Sequence, residues 1–423
     1  MANAFLDRLR SVDKKGLFTP TQTSISYPSG FIPFDYRNGY MVEVRDLQES
    51  LLDSYPSVGI VGGTFLTIIG KSGVAKTTFA AQLAANIVKN FPDNAFVQHY
   101  DLEQALTYTR IKNITKMTHQ ELNDKYILKQ EKNYIEDIYD AIMLIANQKE
   151  ETKNEFIYDT GLKDEFNRPI HAYVPTVLII DSLPTLASKE ASDSMEGGTY
   201  ANRVAKAIAQ FYKRLMPIIK TYNITVIAVN HINQNISMNP MQKSQPQLLY
   251  LKMDEVIPGG HAAIYFANVL VKFIAVGSSK FTKDDDGFDG VMIRCEFLKS
   301  RTNKAGQFCN LIYNQTTGFD SVLTQYQFAK DNKLIEGRNP YQFITDNKNI
   351  KFDSRQFRKA FNENDKLRYA LYDKTLPILT RQLSYVDPED ANNMTINEVF
   401  SRLEEVQSDV SNEKSIEEIL DIA

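Results

Sequence analysis

One segment, residues 65–89, constrains the fold more than any other, because an apolar run, a glycine-containing turn and a helical pattern follow one another directly. The run F-L-T-I-I over 65–69 leads into G-K-S-G-V-A-K-T over 70–77, and apolar residues then recur at helical spacing. The turn matches the phosphate-loop pattern G-x-x-x-x-G-K-[S/T], except that Ala75 replaces the second glycine. Such a loop directs successive backbone N–H groups and a helix N-terminus at a polyphosphate. The segment therefore predicts a nucleotide-binding loop within an α/β domain.

The loop also predicts how ATP and Mg²⁺ are held. Lys76 is placed to reach the β- and γ-phosphates, and the Thr77 hydroxyl is placed to ligate Mg²⁺. Alanine at position 75 tolerates most of the loop's backbone geometry, but not a strongly positive φ. The residues assigned to ATP in this loop are Gly70, Lys71, Ser72, Gly73, Val74, Ala75, Lys76, Thr77 and Thr78.

Acidic residues follow two more of the predicted buried strands, at the point where each strand ends. The run V-L-I-I over 177–180 is followed by Asp181, and the run 96–100 is followed by Asp101 and Glu103. The carboxyl ends of parallel strands lie at one edge of a sheet, where ligands bind in α/β folds. Asp181 is therefore predicted to hold the Mg²⁺ shell, and Glu103, rather than Asp101, to orient and deprotonate the attacking water. The alternative for Asp181 is an aspartate that caps the next helix or turn, and the alternative for Asp101 and Glu103 is a solvated turn.

The order of apolar and helical segments predicts an α/β fold with a mostly parallel central sheet. The further buried strands are predicted at 95–100, 177–180 and 225–229, and helices at 134–147 and 203–221. Two apolar runs around the polar turn 283–287 predict a hairpin added to this sheet, at 269–276 and 291–298. The predicted divisions are an N-terminal oligomerisation helix with its linker at 1–24, an ATPase core at 25–320, a small C-terminal domain at 321–386 and an acidic tail at 387–423.

Composition limits the classes of protein to which the chain could belong. The segment 1–16 carries charges every few positions and lacks the apolar stretch of a signal peptide. Nowhere do about 20 uncharged apolar residues follow one another, as a membrane helix requires. With only Cys295 and Cys309, neither a disulfide framework nor a cysteine-rich zinc site is expected. We therefore expect a soluble cytoplasmic protein without membrane contact.

Charge is divided unevenly along the chain. The 423 residues include 48 Lys and Arg against 52 Asp and Glu, a net charge of −4, yet residues 387–423 alone carry −9 and leave +5 for residues 1–386. A mildly basic body with an acidic tail is compatible with a nucleic-acid partner. The tail is either a solvated terminal helix or a segment that competes with DNA for basic surfaces.

Together these motifs resemble those of the RecA family of DNA strand-exchange ATPases, and most of all its phage members. The resemblance covers residues 25–320 and is faint beyond them. The run V-L-I-I-D-S-L over 177–183 is similar to the family's second nucleotide motif, and I-A-V-N-H over 227–231 to its sensor strand. The run P-G-G-H-A over 258–262 is similar to the turn and helix that close the second DNA-binding loop. The resemblance implies a RecA-like P-loop ATPase core.

The same resemblance implies roles for further residues. His231 would sense the γ-phosphate and relay its presence to the following loop; a structural histidine is the alternative. Tyr108, in the run Y-T-R, would place its ring on adenine, although it lies two residues nearer to the predicted catalytic glutamate than family spacing suggests. Lys299 and Arg301 would reach across a protomer interface to the neighbour's ATP as arginine-finger groups. A charged turn is the alternative for that pair.

Two long polar segments, 183–202 and 232–258, are predicted to be DNA-binding loops. They are rich in amide and hydroxyl side chains and sparse in cations, which suits contacts along a DNA backbone without base readout. The residues assigned to DNA are Arg203, Lys206, Lys243, Gly259 and Gly260. A basic stretch in the C-terminal region is either a duplex-capturing surface or an ordinary amphipathic helix, and its cations are Lys348, Lys351, Arg355, Arg358 and Lys359.

The function implied is that of an ATP-dependent recombinase, which filaments on single-stranded DNA, pairs it with homologous duplex DNA and exchanges strands. Its partners would be further copies of the chain, a single-strand-binding protein and a loading mediator, in the cytoplasm of a bacterium or a phage-infected cell. Two alternatives share the nucleotide motifs: a ring-forming replicative helicase of the DnaB type, and a regulatory RecA-like ATPase without strand exchange. The Asn230–His231 ending and the glycine turn after Pro258 favour the recombinase over the helicase.

Overall fold

The structure, a computed structural model, describes Arg8, Ser11 and residues 24–131, 134–189, 197–234, 246–259, 261–281 and 290–383, with side chains left aside at 197–202 and 277–281. All of these belong to one compact unit. Among the described helices, none is long and apolar enough to cross a membrane.

The strands of the described residues are, in chain order, β1 (Ser26–Tyr27), β2 (Tyr40–Arg45), β3 (Leu51–Ser57), β4 (Ile60–Val61), β5 (Phe65–Gly70), β6 (Phe96–Asp101), β7 (Tyr126–Lys129), β8 (Ile157–Lys163), β9 (Pro169–Tyr173), β10 (Thr176–Asp181), β11 (Ile224–His231), β12 (Asn233–Gln234), β13 (Glu255–Val256), β14 (Val269–Phe281), β15 (Gly290–Ser300), β16 (Phe308–Asn314), β17 (Gly318–Asp320), β18 (Ile335–Arg338), β19 (Tyr341–Ile344) and β20 (Lys351–Asp353).

The α-helices are α1 (Ile32–Arg37), α2 (Lys76–Lys89), α3 (Tyr108–Thr115), α4 (His119–Lys125), α5 (Ile135–Glu151), α6 (Lys153–Phe156), α7 (Gly197–Thr221), α8 (His261–Phe266), α9 (Ser321–Asp331), α10 (Phe357–Glu363) and α11 (Asp365–Thr380). Single 3₁₀ turns lie at Leu183–Thr185 and Ser354–Gln356.

A nine-stranded sheet forms the centre of the protein, in the order β17-β16-β15-β14-β5-β11-β10-β6-β7. The strands from β14 to β7 in this order run parallel to their neighbours. The strands β15, β16 and β17 are added antiparallel at the other side. The predicted α/β class, mostly parallel sheet and added hairpin β14–β15 are therefore confirmed, while the turn predicted at 283–287 lies outside the described residues.

The central strands are almost entirely buried because both faces of the sheet are covered. Every residue of β5 and β10 is buried, as parallel strands between two helical layers require. On one face, Leu66 and Ile68 pack in a core that includes α2. On the other face, Phe65 packs with residues of α5 and α7. This sandwich holds the carboxyl ends of the parallel strands in fixed positions.

The segment after β17 has a hydrophobic core of its own, which contains Phe357 from α10 and Leu371 from α11. Ile312 of β16 belongs to the same core, so this segment packs directly on the antiparallel side of the central sheet. A boundary between two domains near residue 320 stays a prediction.

Candidate nucleotide site and nucleic-acid interface

Several predicted site residues meet at one edge of the sheet, because parallel strands end there together. Gly70, at the end of β5, pairs with His231 at the end of β11. Asp181, at the end of β10, pairs with Asp101 at the end of β6, and Glu103 follows two residues later. The structure thus brings the predicted phosphate loop, the three acids and the histidine to the same edge.

The phosphate loop contains two residues in left-handed backbone conformations. Gly73 has φ +81°, and a Cβ at this position would have no neighbour within 4 Å. Gly70 is a glycine for a different reason, since a Cβ there would lie 2.7 Å from the Phe273 carbonyl oxygen. Ala75, at the N-cap of α2, has φ 62° and ψ 26°. Alanine therefore does adopt the positive φ that we did not expect it to tolerate, at a cost of about 1 to 2 kcal/mol. Position 75 therefore has the left-handed backbone conformation that the glycine of the phosphate-loop pattern would favour.

Lys76 is folded back onto the loop that carries it. Its side chain is 6% exposed, and Nζ donates hydrogen bonds to the carbonyls of Gly70, at 3.0 Å, and Lys71, at 2.8 Å. Burial lowers the pKa of Lys76, and nearby Asp181 and Glu103 oppose that shift. Because an ammonium held by two neutral carbonyls is poorly compensated, an incoming polyphosphate offers it a better partner.

Thr77 and Asp181 form the part of the site suited to Mg²⁺. The Thr77 hydroxyl donates to Asp181 Oδ2, and Asp181 is 3% exposed. Burial raises the pKa of Asp181 to about 6, and the charges of Glu103 and Asp101 add to this. A nearby divalent cation would favour the ionised carboxylate. Among the described residues no group of three or more His, Cys, Asp or Glu could hold a metal, so the ion would depend on Thr77, Asp181 and nucleotide oxygens.

Glu103 is oriented by two hydrogen bonds to the same carboxylate oxygen. Ser182 Oγ donates to Oε1 at 2.8 Å, and His231 Nε2 does so at 3.1 Å. Partial burial alone would raise the pKa of Glu103, but the bonds from His231 and Ser182 lower it. The Glu103 side chain is 40% exposed. Oε2 has no hydrogen bond from the rest of the described chain, and it is therefore the atom open to a water molecule.

The sequence identifies Ser182 only as a member of the second nucleotide motif. In the structure, Ser182 contacts Glu103. The signal was present in the sequence, since the serine directly follows the strand-end Asp181. What the sequence did not contain was its partner, Glu103, which lies 79 positions away.

Asp101, the alternative to Glu103, is engaged in holding the chain that follows it. Its Oδ2 accepts hydrogen bonds from Leu106 N at 2.9 Å and from Gln130 Nε2 at 2.8 Å, and the residue is 1% exposed. Asp101 therefore shapes the loop that carries Glu103 and has little access to a water molecule.

Tyr108 begins α3 and is exposed, as a ring that stacks on a base must be. Its hydroxyl accepts a long bond, 3.5 Å, from Leu128 N. Arg110, two residues later, donates to the Tyr313 hydroxyl at 3.3 Å and to the Gln315 carbonyl. The Arg110 contacts tie the start of α3 to the antiparallel side of the sheet, whereas Tyr108 contacts β7 at the parallel side.

Lys299 and Arg301 lie far from the phosphate loop of their own chain. Lys299 of β15 pairs with Leu270 of β14, and Leu270 pairs with Thr67 of β5. Arg301 N donates a hydrogen bond to Asn268 O, and the Asn268 side chain accepts one from Phe65 N, so Arg301 lies near the level of Phe65. With a rise of about 3.3 Å per residue, the two cations are some 10 to 16 Å from Gly70 along the strands. They contact α8 instead.

The contacts of the two cations are with backbone carbonyls. Lys299 Nζ donates to Ile264 O at 2.8 Å and Tyr265 O at 2.7 Å, and Arg301 Nη2 donates to Tyr265 O at 3.2 Å. Burial lowers the pKa of Lys299 to about 8, and the charge of Arg301 contributes. Both groups are thus held in place nearer to the starting ends of the parallel strands than to the predicted nucleotide site.

Comparison with known proteins agrees with this geometry. No protein-family model matches the sequence. The chain is 22% identical over 350 residues to the protein RecA of Ruminococcus albus, which covers 76% of this chain and 75% of that protein. It is also 22% identical over 243 residues to a mitochondrial DNA repair protein, a recA homolog, of Dictyostelium discoideum, covering 53% of this chain and 47% of that protein. These matches support a RecA family relationship.

Two of the predicted DNA residues line a groove between α5 and α7. Arg203 and Lys206 lie on α7, and the groove has a volume of about 560 Å³. Arg214, further along the same helix, also lines it and was missed in the sequence. Helical spacing could have revealed it, because positions 203, 206, 210 and 214 share one face of a helix. Glu136 and Asp140 of α5 face these cations across the groove.

Other predicted features are only partly described. Gly259 has φ +89°, a conformation that favours glycine. Lys243, Gly260, the acidic tail 387–423 and the predicted N-terminal helix, except Arg8 and Ser11, lie outside the described residues. Helix α7 begins at Gly197, within the range assigned to the first DNA loop.

The C-terminal cations are partly engaged with acids of their own region. Arg355 is 2.7 Å from Asp353, and Arg358 is 3.5 Å from Asp320. Whether this region captures duplex DNA stays a prediction.

Proposed function

We propose that the protein is an ATP-dependent homologous recombinase of the RecA type, similar to the phage recombinase UvsX, which forms a helical filament on single-stranded DNA and exchanges strands with a homologous duplex. The observation that carries the proposal is the separation of the finger cations from the phosphate loop. Lys299 and Arg301 lie about 10 to 16 Å from Gly70, toward the starting ends of the parallel strands, so we assign them to the ATP bound by a neighbouring copy of the chain. Repeated head-to-tail contacts of this kind generate rings or helical filaments.

Hydrolysis would begin at Glu103. Its free Oε2 accepts a proton from the attacking water, while Ser182 and His231 keep the carboxylate oriented through Oε1. Lys76 leaves the loop carbonyls and reaches the phosphates. Thr77 and Asp181 would hold Mg²⁺, which would supply neutralisation of charge on the phosphate oxygens.

His231 would report the nucleotide to the DNA loop. It contacts the proposed catalytic carboxylate and is the last residue of β11 before the second predicted DNA loop begins. The neighbouring Asn230 Nδ2 donates to Pro258 O at 2.9 Å, where the same loop ends. A change at Glu103 on hydrolysis would therefore act on both ends of that loop.

Contact with another copy is further supported by exposed apolar side chains near the finger cations. Tyr265 is exposed and lies 6.0 Å from the Lys299 ammonium. Tyr250 is also exposed, and its ring lies against Gly306 in the turn that follows Arg301. Large exposed aromatics around charged groups are typical of protein–protein interfaces.

DNA would be held by the α7 groove and the two loops. Arg203, Lys206 and Arg214 offer contacts to phosphates, and the amide-rich loops track the backbone. Homologous duplex DNA, a single-strand-binding protein and a loading mediator are the further partners proposed. The protein would act in the cytoplasm of a bacterium or a phage-infected cell.

Electron microscopy with single-stranded DNA and a non-hydrolysable ATP analogue tests the proposal. We expect helical filaments, and their loss with Lys299→Ala and Arg301→Ala combined. Hexameric rings would instead identify a DnaB-type helicase. Filaments that hydrolyse ATP but form no joint molecules with a homologous duplex would identify a regulatory RecA-like ATPase.

A further inference from the structure

The returning half of the second predicted DNA loop, residues 246–258, is docked on the central sheet. Its strand β13 pairs with β12, which leaves β11, so the two ends of the loop form a short stem. Leu251 and Ile257 are buried in a small core together with Ile69 of β5 and Leu298 of β15. Gln247 Oε1 also accepts a hydrogen bond from Ile257 N at 2.8 Å. This half of the loop is therefore part of the fold.

A buried ion pair fastens the stem to β14. Lys272 Nζ donates to both carboxylate oxygens of Glu255, at 2.8 Å to Oε1 and 2.6 Å to Oε2. The side chains are 5% and 11% exposed, respectively. Lys272 pairs with Ile69, the residue before Gly70. The ion pair therefore lies beside the start of the phosphate loop.

The stem is held on both sides of the strand that carries the phosphate loop. In the sheet, β5 lies between β14 and β11. Glu255 is attached to β14, and Pro258 is attached to β11 through Asn230. Since neighbouring strands are about 4.8 Å apart, these two attachments are roughly 10 Å apart and span the end of β5.

The energetics of such a pair favour a positioning role over a stabilising one. Removing two charges from water costs about as much as their attraction returns, so a buried pair adds little net stability over apolar residues of similar size. Loss of one partner, in contrast, leaves an unpaired buried charge. Because Lys272 Nζ contacts both carboxylate oxygens of Glu255, the pair fixes the position of the stem along β14.

We propose that the Glu255–Lys272 pair is a positioning latch, which sets the second DNA loop against the phosphate loop so that affinity for single-stranded DNA depends on the bound nucleotide. The pair itself touches neither ligand. The DNA part of this inference rests on the proposed function.

Binding of a dye-labelled single-stranded oligothymidylate, measured with ADP and with a non-hydrolysable ATP analogue, tests the latch in the full chain. The readout is the ratio of the two dissociation constants. We expect the wild-type ratio to fall by roughly tenfold in Glu255→Gln and in Lys272→Met, as the loss of a coupling between sites predicts. The exchanged pair, Glu255→Lys with Lys272→Glu, should recover most of the ratio.

A matched control removes a different ion pair with one buried acid. Asp164 is 2.6 Å from Arg168 in the β8–β9 hairpin, so Asp164→Asn should lower thermal stability without changing the ratio. Folded single variants with the wild-type ratio would overturn the proposal.

If the single variants do not fold, the neutral pair Glu255→Gln with Lys272→Met replaces them, since it leaves no buried charge. It should fold and still show a ratio of dissociation constants well below that of the wild type, because the two-point contact is gone. A neutral pair that keeps the wild-type ratio overturns the latch.

Failure of the latch can be told apart from failure of the proposed function. A wild-type chain that does not bind the oligonucleotide contradicts the function. In that case, hydrogen exchange of amides 246–258 with and without the ATP analogue decides the latch. Nucleotide-dependent protection that Lys272→Met abolishes supports it, and protection that the variant retains, or a wild-type chain that shows none, overturns it.

Discussion

At the residue scale, three acids at one sheet edge differ in their surroundings. The Asp101 carboxylate accepts hydrogen bonds from Leu106 and Gln130. Asp181 is buried, and chiefly that burial raises its pKa to about 6. Glu103 keeps one free oxygen within the described structure, and hydrogen bonds lower its pKa despite partial burial. A general base must be ionised and reachable by water. Of the three, Glu103 meets both conditions best.

Substitutions at the nucleotide edge should separate binding from hydrolysis. We expect Lys76→Ala to abolish ATP binding, because the ammonium assigned to the β- and γ-phosphates is lost. Glu103→Gln should bind ATP normally and hydrolyse it at least about a hundredfold more slowly, as for loss of a general base. Titration with a fluorescent ATP analogue and single-turnover hydrolysis measure the two steps. Asp101→Asn is the control, with lower stability but near-normal hydrolysis of bound ATP. Equal loss of ATP binding in the first two variants would contradict the role given to Glu103.

The phosphate loop itself should gain stability when its glycine is restored. Relief of the left-handed strain at Ala75 is worth about 1 to 2 kcal/mol, and the added freedom of the unfolded chain returns about 0.4 to 1 kcal/mol of this. We expect Ala75→Gly to raise the free energy of unfolding by roughly 0.5 to 1 kcal/mol in chemical denaturation. Ala141→Gly, in the interior of α5, is the control and should lower it by a similar amount. A loss of stability in Ala75→Gly would show that the left-handed backbone carries no strain.

At the element scale, β14 and β15 carry the finger cations away from the edge where the parallel strands end. Strand β15 runs antiparallel to β14, so the end of β15 returns to the starting edge of β5. A sheet of parallel strands alone would have placed Lys299 and Arg301 beside the phosphate loop. Under the proposed function, the antiparallel addition would leave the nucleotide site incomplete within one chain.

The role proposed for Lys299 predicts a pH dependence of ATP hydrolysis. Burial and the charge of Arg301 lower its pKa to about 8, so the ammonium is present below pH 8 and is lost as the pH rises. We expect kcat/KM, which reports groups of the free protein, to decrease roughly 25-fold between pH 7.5 and 9.5. Lys299→Arg is the control, since a guanidinium stays charged over this range. A decrease that persists unchanged in Lys299→Arg would assign the titration to another group.

At the scale of the whole molecule, the charge of −9 on residues 387–423 against +5 on the remainder matters more than the net charge of −4. Like charge repels the DNA backbone, and salt screens that repulsion over about 10 Å at 0.1 M. Deleting residues 387–423 should therefore tighten binding of a single-stranded oligonucleotide by roughly threefold to tenfold at low salt, and binding should persist to higher salt.

The charge of the tail can be separated from its bulk. A full-length variant with glutamine at the four positions Glu404, Glu405, Glu417 and Glu418 should tighten binding part of the way, as measured by salt titration of fluorescence anisotropy. If both proteins bind the oligonucleotide with unchanged affinity, the tail is a solvated segment that does not compete with DNA.

The nucleotide edge could be predicted from the sequence because its parts follow strands directly. Each apolar run that ends in a polar residue identifies a strand end, and parallel strands end together, so Asp181 and Glu103 are expected beside the loop at Gly70. The sequence could not show that Ala75 adopts a left-handed backbone, since that conformation is imposed by the turn between β5 and α2. It also could not pair Glu255 with Lys272, because neither lies in a recognisable motif.

What the sequence determined by itself was the α/β class, the phosphate loop and the acids at the strand ends, since periodicity and adjacency along the chain are local properties. Only the tertiary structure decided which side chains share a hydrogen bond, such as Ser182 and His231 on Glu103. It also decided that Lys299 lies toward the starting ends of the parallel strands and that Lys272 fastens the second loop. The physical reason is that strand order and direction, which place distant segments side by side, are set by packing of the whole sheet between its helical layers.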